Sequence, residues 1–445
     1  MCATWYTVIM MNDFSNWKRR IAVFIISQTI TLFGSSIVSF AVVWYITLKT
    51  SSGSLMMISV LCNFLPQILI SLFAGVFADQ YNRKWLIIGS DLFIAAVTLL
   101  LAILMASGHE SWGLIFFVCS LRSIGAGLQT PSVNALLPQL VPTDQLMRVT
   151  AINTTINSVS MLASPAVGGI LLGIWNLQGA LFFDVITAII GTSILVFLKI
   201  PHYHRLSSQS KTHIATCNPI ESNEKSGIFE ELKAGLTYAK NHILIRKLLF
   251  FYALFFFLVT PVAFLSPILV ERTFGAQVWM LTANEIAWSF GCVIGGIIIS
   301  FLGGFKNRIV SMIVSCIAFG IFYIFLGLAS NLWIYLGVMF LSGTFIPLYN
   351  TAETVLIQES VEEGMLGRVF SLIQIIITAI MPLGMVIFGP LADMVSVQSL
   401  LMVSGVLTIA LGLYFAMDKN LLKLGTAQGR LANQNERMDH SYEQK

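Results

Sequence analysis

Twelve long apolar runs govern what this chain can fold into: residues 21–47, 55–78, 85–107, 112–136, 145–174, 178–199, 245–270, 281–302, 309–329, 332–357, 369–391 and 398–417. Crossing a hydrocarbon core about 30 Å thick takes roughly 20 helical residues, and each run supplies them. Apolar content inside the runs is continuous rather than alternating, which argues against a lipid-exposed barrel. Helices close their own backbone hydrogen bonds, as lipid requires. The pattern predicts an all-α integral membrane protein with twelve transmembrane helices. Only 10% of the 445 residues are charged, against about a quarter in soluble domains.

Cations set the orientation. Of 25 Lys and Arg, 22 fall on the side of the N-terminus, Lys49 and Arg272 on the other, and Arg122 within a span. Under the positive-inside rule both termini are cytoplasmic. The net charge of +4 thus reflects topology and calls for no nucleic-acid partner. Met1–Met11 is apolar but precedes Lys18–Arg20, the reverse of a signal peptide. It reads as a cytoplasmic tail, with translation starting at Met1 or at Met10/Met11.

The expected organisation is a tail over 1–20, a six-helix bundle over 21–200, a cytoplasmic linker over 201–243, a second bundle over 244–417 and a polar, disordered tail over 418–445. Within the linker, Gly227–Lys240 suits an amphipathic surface helix. Six cysteines fall singly and the histidines are scattered, so neither disulfides nor a metal site is expected. His202 and His204 read as part of a solvated basic linker. There is no phosphate-cradling G-x-x-x-x-G-K-[ST] stretch and no catalytic constellation, so the chain is not expected to be an enzyme or to use a cofactor.

The two halves repeat. Gly127-xxx-Pro131-xx-Asn134 followed by Arg148 answers to Gly343-xxx-Pro347-xx-Asn350 followed by Arg368, at offsets of 216 to 220, and Pro382 lies 217 after Pro165. Because each half has six spans, both share one topology: two six-helix parallel repeats, able to rock about a central site.

Four features carry candidate chemistry. Gly75-Val-Phe-Ala-Asp79-Gln-Tyr-Asn-Arg83-Lys84 joins the second and third spans, with a close-approach glycine, an acid and two bases; it suits a gating latch centred on Asp79, or an ordinary basic loop. Arg122 lies about ten residues into the fourth span, near the midplane, where a charge costs at least ~2.5 kcal/mol and faces a cavity or a partner. A helix-tying ion pair is the plainer reading. Ser164-Pro165-Ala-Val-Gly168-Gly169 marks a kink with tight packing in the fifth span. Asp91, Asp184, Glu285 and Glu353 lie within a few turns of the span ends, where structural pairing competes with proton or amine binding. Asp91 could pair with the nearby loop bases. Gln28 and the Phe251–Phe257 aromatics could line an amphipathic pocket or, for the aromatics, face lipid.

The Gly75–Lys84 stretch resembles the signature of the major facilitator superfamily, Gly-x-x-x-Asp-(Arg/Lys)-x-Gly-Arg-(Arg/Lys). Gly75, Asp79, Arg83 and Lys84 match, while Gln80 and Asn82 depart from it. Arg122-Ser-Ile-Gly125 resembles the family's fourth-helix arginine motif, which implies proton coupling. Ser164–Gly169 resembles the fifth-helix motif of drug/proton antiporters, with Ser164 in place of glycine. Asn16-Trp17-Lys18, Ile88-Gly-Ser-Asp91-Leu, Leu140-Val-Pro142 and Leu366-Gly-Arg368-Val-Phe-Ser371-Leu resemble the macrolide-efflux branch. The resemblance implies the fold of that superfamily and proton-driven export of macrolides or other amphipathic drugs. The expected setting is a monomer in a bacterial plasma membrane, with protons, substrate and lipid as partners; Arg122, by the resemblance, and Asp91, Asp184, Glu353 and Gln28, by their place in the spans, are the coupling or substrate candidates. A siderophore or small-metabolite transporter is the alternative, and a membrane sensor a weaker one.

Overall fold

Apolar runs become helices whose ends are set by local polar chemistry. The computed structural model describes residues 17–142, 145–198, 228–305, 307–362 and 365–425, and among these it is all-α. In order they are α1 (Trp17–Thr50), α2 (Gly53–Gln80), α3 (Arg83–Ala106), α4 (Trp112–Leu140), α5 (Leu146–Phe197), α6 (Ile228–Asn241), α7 (Ile243–Phe274), α8 (Val278–Leu302), α9 (Arg308–Leu328), α10 (Leu332–Ser360), α11 (Leu366–Met394), α12 (Val397–Met417) and α13 (Lys419–Leu424).

Eleven of these helices are long and apolar enough to cross a membrane. α5, with 52 residues, is about 78 Å long if straight, more than twice the hydrocarbon thickness. It breaks at Trp175 and Asn176, the latter at φ 55° and ψ −165°, a positive-φ conformation that side-chain-bearing residues rarely adopt. The two limbs of α5 therefore supply the fifth and sixth spans, and the total is the twelve predicted.

The repeat is visible in the backbone. Asn82 caps α3 by accepting from the Lys84 N–H, and Asn307 caps α9 by accepting from the Ile309 and Val310 N–H groups. Gln145 and Met365 begin α5 and α11 with nearly the same dihedrals, φ −104°, ψ −5° and φ −110°, ψ −10°. A Cβ on Gly127 of α4 would sit 3.0 Å from the Gln67 carbonyl oxygen of α2, and one on Gly343 of α10 would sit 2.2 Å from that of Trp288 in α8. Corresponding helix pairs thus approach at corresponding glycines, as small residues allow in membranes.

The chain packs as two units: Met1–Val38, Leu65–Ser164 and Gln178–Glu231 in the first, Ser39–Phe64, Pro165–Leu177 and Leu232–Lys445 in the second. In the first, Ile21, Phe24 and Ile25 of α1 meet Ile87 and Ile88 of α3, Leu136 and Leu140 of α4 and Leu195 of α5. In the second, an aromatic cluster fills the interior: Phe251 and Phe255 are 2% and 3% exposed, which corrects the lipid-facing reading for those two rings.

The stretch beginning at 418, expected as disordered tail, starts instead as α13. Asp418 caps it by accepting from the Leu421 N–H at 3.1 Å and pairs with Lys247 of α7, and Leu421 is buried. Residues 1–16, the linker over 199–227 with His202 and His204, Lys306 and the stretch beyond Gly425 lie outside the described residues.

Candidate functional site

The interior of the first unit holds a guanidinium and two carboxyls. Arg122 of α4 donates through Nη1 to Oδ2 of Asp184, in the second limb of α5, at 2.5 Å. Asp184 is fully buried and the Arg122 side chain is 11% exposed. Ser35 of α1 donates to Asp184 Oδ1 at 3.2 Å, and Thr98 of α3 donates to Oδ2 at 3.5 Å while accepting from Arg122. Such added hydrogen bonds are what a desolvated ion pair needs to offset its burial. Of the two roles its place near a span end allowed, Asp184 takes structural pairing.

Asp91 of α3 is 1% exposed and does not pair with the loop bases, as the sequence had suggested it could. Those bases are occupied: Arg83 donates to the Ala135 carbonyl of α4 at 2.8 Å, and Lys84 to the Val196 and Leu198 carbonyls at 2.9 Å each. The last two terminate α5, where a cation is favoured by the helix dipole. Asp91 accepts from Gln129 of α4, which also donates to Gln28 of α1 at 3.1 Å. Asp91 Oδ2 and Gln28 Nε2 have no partner among the described residues. Asp184 lies within electrostatic reach of Asp91. Three of the sequence candidates, Arg122, Asp184 and Asp91, thus converge, with Gln28 adjoining.

Glu353 sits apart, in the second unit. It lies on α10 one turn after Tyr349 and within electrostatic reach of the Tyr252 and Tyr349 hydroxyls. Both tyrosines are fully buried, and neither hydroxyl has a partner among the described residues. Around them, Phe255 stacks on Tyr349 at 4.8 Å, and Phe251 lies edge-on to Phe415 at 4.8 Å. Glu353 makes no salt bridge among the described residues, and Glu285 of α8 takes only a hydrogen bond from Asn284 at 3.3 Å.

A third cluster was not legible in the sequence. Ser51, with φ 51°, turns α1 into α2 within two residues. Asp393, near the end of α11, accepts from the Gly53 N–H at 2.6 Å, the Ser54 N–H at 2.9 Å and the Ser52 hydroxyl at 3.1 Å. Arg272, ending α7, donates to the Ala392 carbonyl at 2.7 Å and the Ser51 carbonyl at 2.5 Å, and reaches Asp393 at 3.5 Å. Ser51 also donates to Glu271. A Cβ on Gly53 would fall 2.2 Å from the Gly389 carbonyl oxygen. The first repeat's α2 N-terminus is thereby capped by a carboxylate from the second repeat's α11. A lone acid and a lone cation in the two sparsely charged predicted outer loops were the only signals that could have flagged Asp393 and Arg272.

Of the remaining candidates, Gly75 and Asp79 fall near the end of α2, but their side chains lie outside the described residues. Ser164 donates to the Ser160 carbonyl at 2.7 Å, one turn back. Pro165 and Gly168 are buried in α5, and a Cβ on Gly169 would lie 2.1 Å from the Thr282 hydroxyl of α8. Among the described residues no group of three or more His, Cys, Asp or Glu is placed to hold a metal ion.

The family model of the Major Facilitator Superfamily matches residues 24–385. Macrolide efflux protein A of Streptococcus pyogenes is 28% identical over 416 residues, 93% of this chain and 99% of that protein. The Staphyloferrin A transporter of Staphylococcus aureus is 23% identical over 419 residues, 90% of this chain and 96% of that one. Among solved structures, the nucleoside transporter NupG superposes with a TM-score of 0.65 at 14% identity, over 91% of this chain and 99% of that chain, a likeness of fold alone.

Proposed function

The chain belongs to the Major Facilitator Superfamily and is a multi-pass secondary transporter, and from that we propose that it is a proton-coupled exporter of macrolides or similar amphipathic compounds. The likeness to macrolide efflux protein A over nearly the full length supports the substrate class. One observation supports the coupling: a second buried carboxyl, Asp91, lies within electrostatic reach of the Asp184 that is paired with Arg122. Arg122 and Asp184 neutralise each other. That leaves Asp91, with one bare oxygen, as the acid free to take up and release a proton.

Glu353, ringed by tyrosine and phenylalanine, is the counter-charge for a protonated amine on the substrate, with aromatic faces adding cation–π attraction. The Asp393–Arg272 cluster acts as the outer gate, capping the start of α2 from α11 at the α1–α2 turn. The Gly75–Lys84 stretch acts as the inner one. The protein sits as a monomer in a bacterial plasma membrane with both termini cytoplasmic, as its cation distribution supports. The Staphyloferrin A transporter relative favours a second reading, in which the substrate is a siderophore.

The test is accumulation of a labelled macrolide, and of a siderophore, in a pump-deficient bacterium with and without an uncoupler. Expression should lower macrolide accumulation several-fold, and the uncoupler should erase the difference. Asp91→Asn should insert normally and lose that uncoupler-sensitive component. Unchanged accumulation of every compound sinks export, and an unimpaired Asp91→Asn protein sinks the assignment of the proton to Asp91.

A further inference from the structure

The starts of α1 and α5 enclose a cavity of about 640 Å³ whose wall is divided by chemistry. Lys18 and Arg148 lie on its lining, and no carboxylate does among the described residues. Neither cation makes a salt bridge among the described residues, and Lys18 lies 6.0 Å from the centre of the Trp17 ring. The rest of the wall is apolar: Ile21 and Ile25 back onto the unit's core, while Ile152 is 46% exposed. Both helices begin here, so the cavity lies at the depth where membrane helices leave the hydrocarbon, and the tryptophan matches that belt.

We propose that this cavity is a binding site for an anionic phospholipid. The phosphate lies between Lys18 and Arg148, and the first methylenes of an acyl chain run along Ile21, Ile25 and Ile152. Basic pockets between transmembrane helices on the cytoplasmic side are suited to such headgroups. Guanidinium and ammonium together supply a fork and a point charge for one phosphate. The apolar part of the wall is what selects a lipid over a free phosphate, which would leave the exposed Ile152 facing water. A lipid held here bridges α1 and α5 and so ties together the entrances of two spans. The site rests on the cytoplasmic orientation proposed above, and its readout is binding, so it stands or falls separately from export.

Native mass spectrometry of the purified full chain with equimolar phosphatidylglycerol and phosphatidylcholine tests it. The wild-type protein should retain phosphatidylglycerol preferentially. Lys18→Gln or Arg148→Gln should each weaken that retention roughly fivefold, and the two together about thirtyfold. Lys18→Arg with Arg148→Lys should keep it, which separates lost charge from lost fold. Lys49→Gln, outside the cavity, should change nothing. Equal retention of phosphatidylglycerol by the double Gln variant overturns the proposal. So does displacement of the lipid by millimolar inorganic phosphate, which would make this a free-anion site.

Discussion

A guanidinium in the bilayer interior is tolerable only with its charge answered, and for Arg122 the answer is Asp184. Removing one member of a buried pair leaves an uncompensated charge and costs about 3–5 kcal/mol, whereas replacing both with apolar groups is often neutral. Arg122→Ala should therefore lower unfolding stability in mixed micelles by that amount, and Arg122→Met combined with Asp184→Leu should recover most of it. A double variant as unstable as the sum of the single ones would show that the pair is not the unit. Sequence placed Arg122 at the right depth, because depth is a count of residues. It offered Asp184 as a candidate but could not pair it with Arg122, 62 positions away, since which faces of α4 and α5 meet is decided by packing. Asp91 was misjudged for the same reason: distance from the helix end says nothing about rotation about its axis.

Helix ends were more legible than helix faces. Asn82 and Asn307 lie just where α3 and α9 begin and cap them from the adjoining position in the chain. The cap supplied by Asp393 is not local in that way, because it comes from 340 residues further along the chain. Losing a cap costs about 0.5–2 kcal/mol, enough to move a balance between two states of similar energy. Asp393→Ala should accordingly raise labelling of Cys62, further along α2, by a membrane-impermeant thiol reagent. Labelling at the wild-type rate would rule out a latch there. Gly53→Val, which forces a side chain against the Gly389 carbonyl, should raise it further still.

At the scale of the molecule, the internal repeat was the most informative sequence feature. It rests on a few glycines, prolines and arginines at one offset, and the structure shows why: the α2–α4 and α8–α10 contacts each need a residue without a side chain. Space is tighter in the second. Gly343→Val should thus destabilise more than Gly127→Val, with overpacking of about 1–3 kcal/mol at each site measured by unfolding in mixed micelles. Equal losses would show that the neighbours yield alike. The second unit's aromatic interior was not legible, since a run such as Phe251–Phe257 has the same composition whether it meets lipid or protein.

The break at Asn176 bears on how the chain is made as well as how it folds. Insertion machinery handles one span at a time, and between Leu171 and Leu181 it meets no charge, only Asn176 and Gln178 among apolar and small residues. The bend at Trp175 and Asn176 is the interruption of the helix within that stretch. Should α5 pass through as a single span, every later segment would be delivered upside down, and the eight cations of residues 199–247 would be stranded outside. Asn176→Leu, which favours continuous helix, should yield a measurable fraction of chains with the C-terminus on the wrong side, scored by a reporter fused there. A uniform population would mean that those downstream cations, rather than the bend, enforce the reversal.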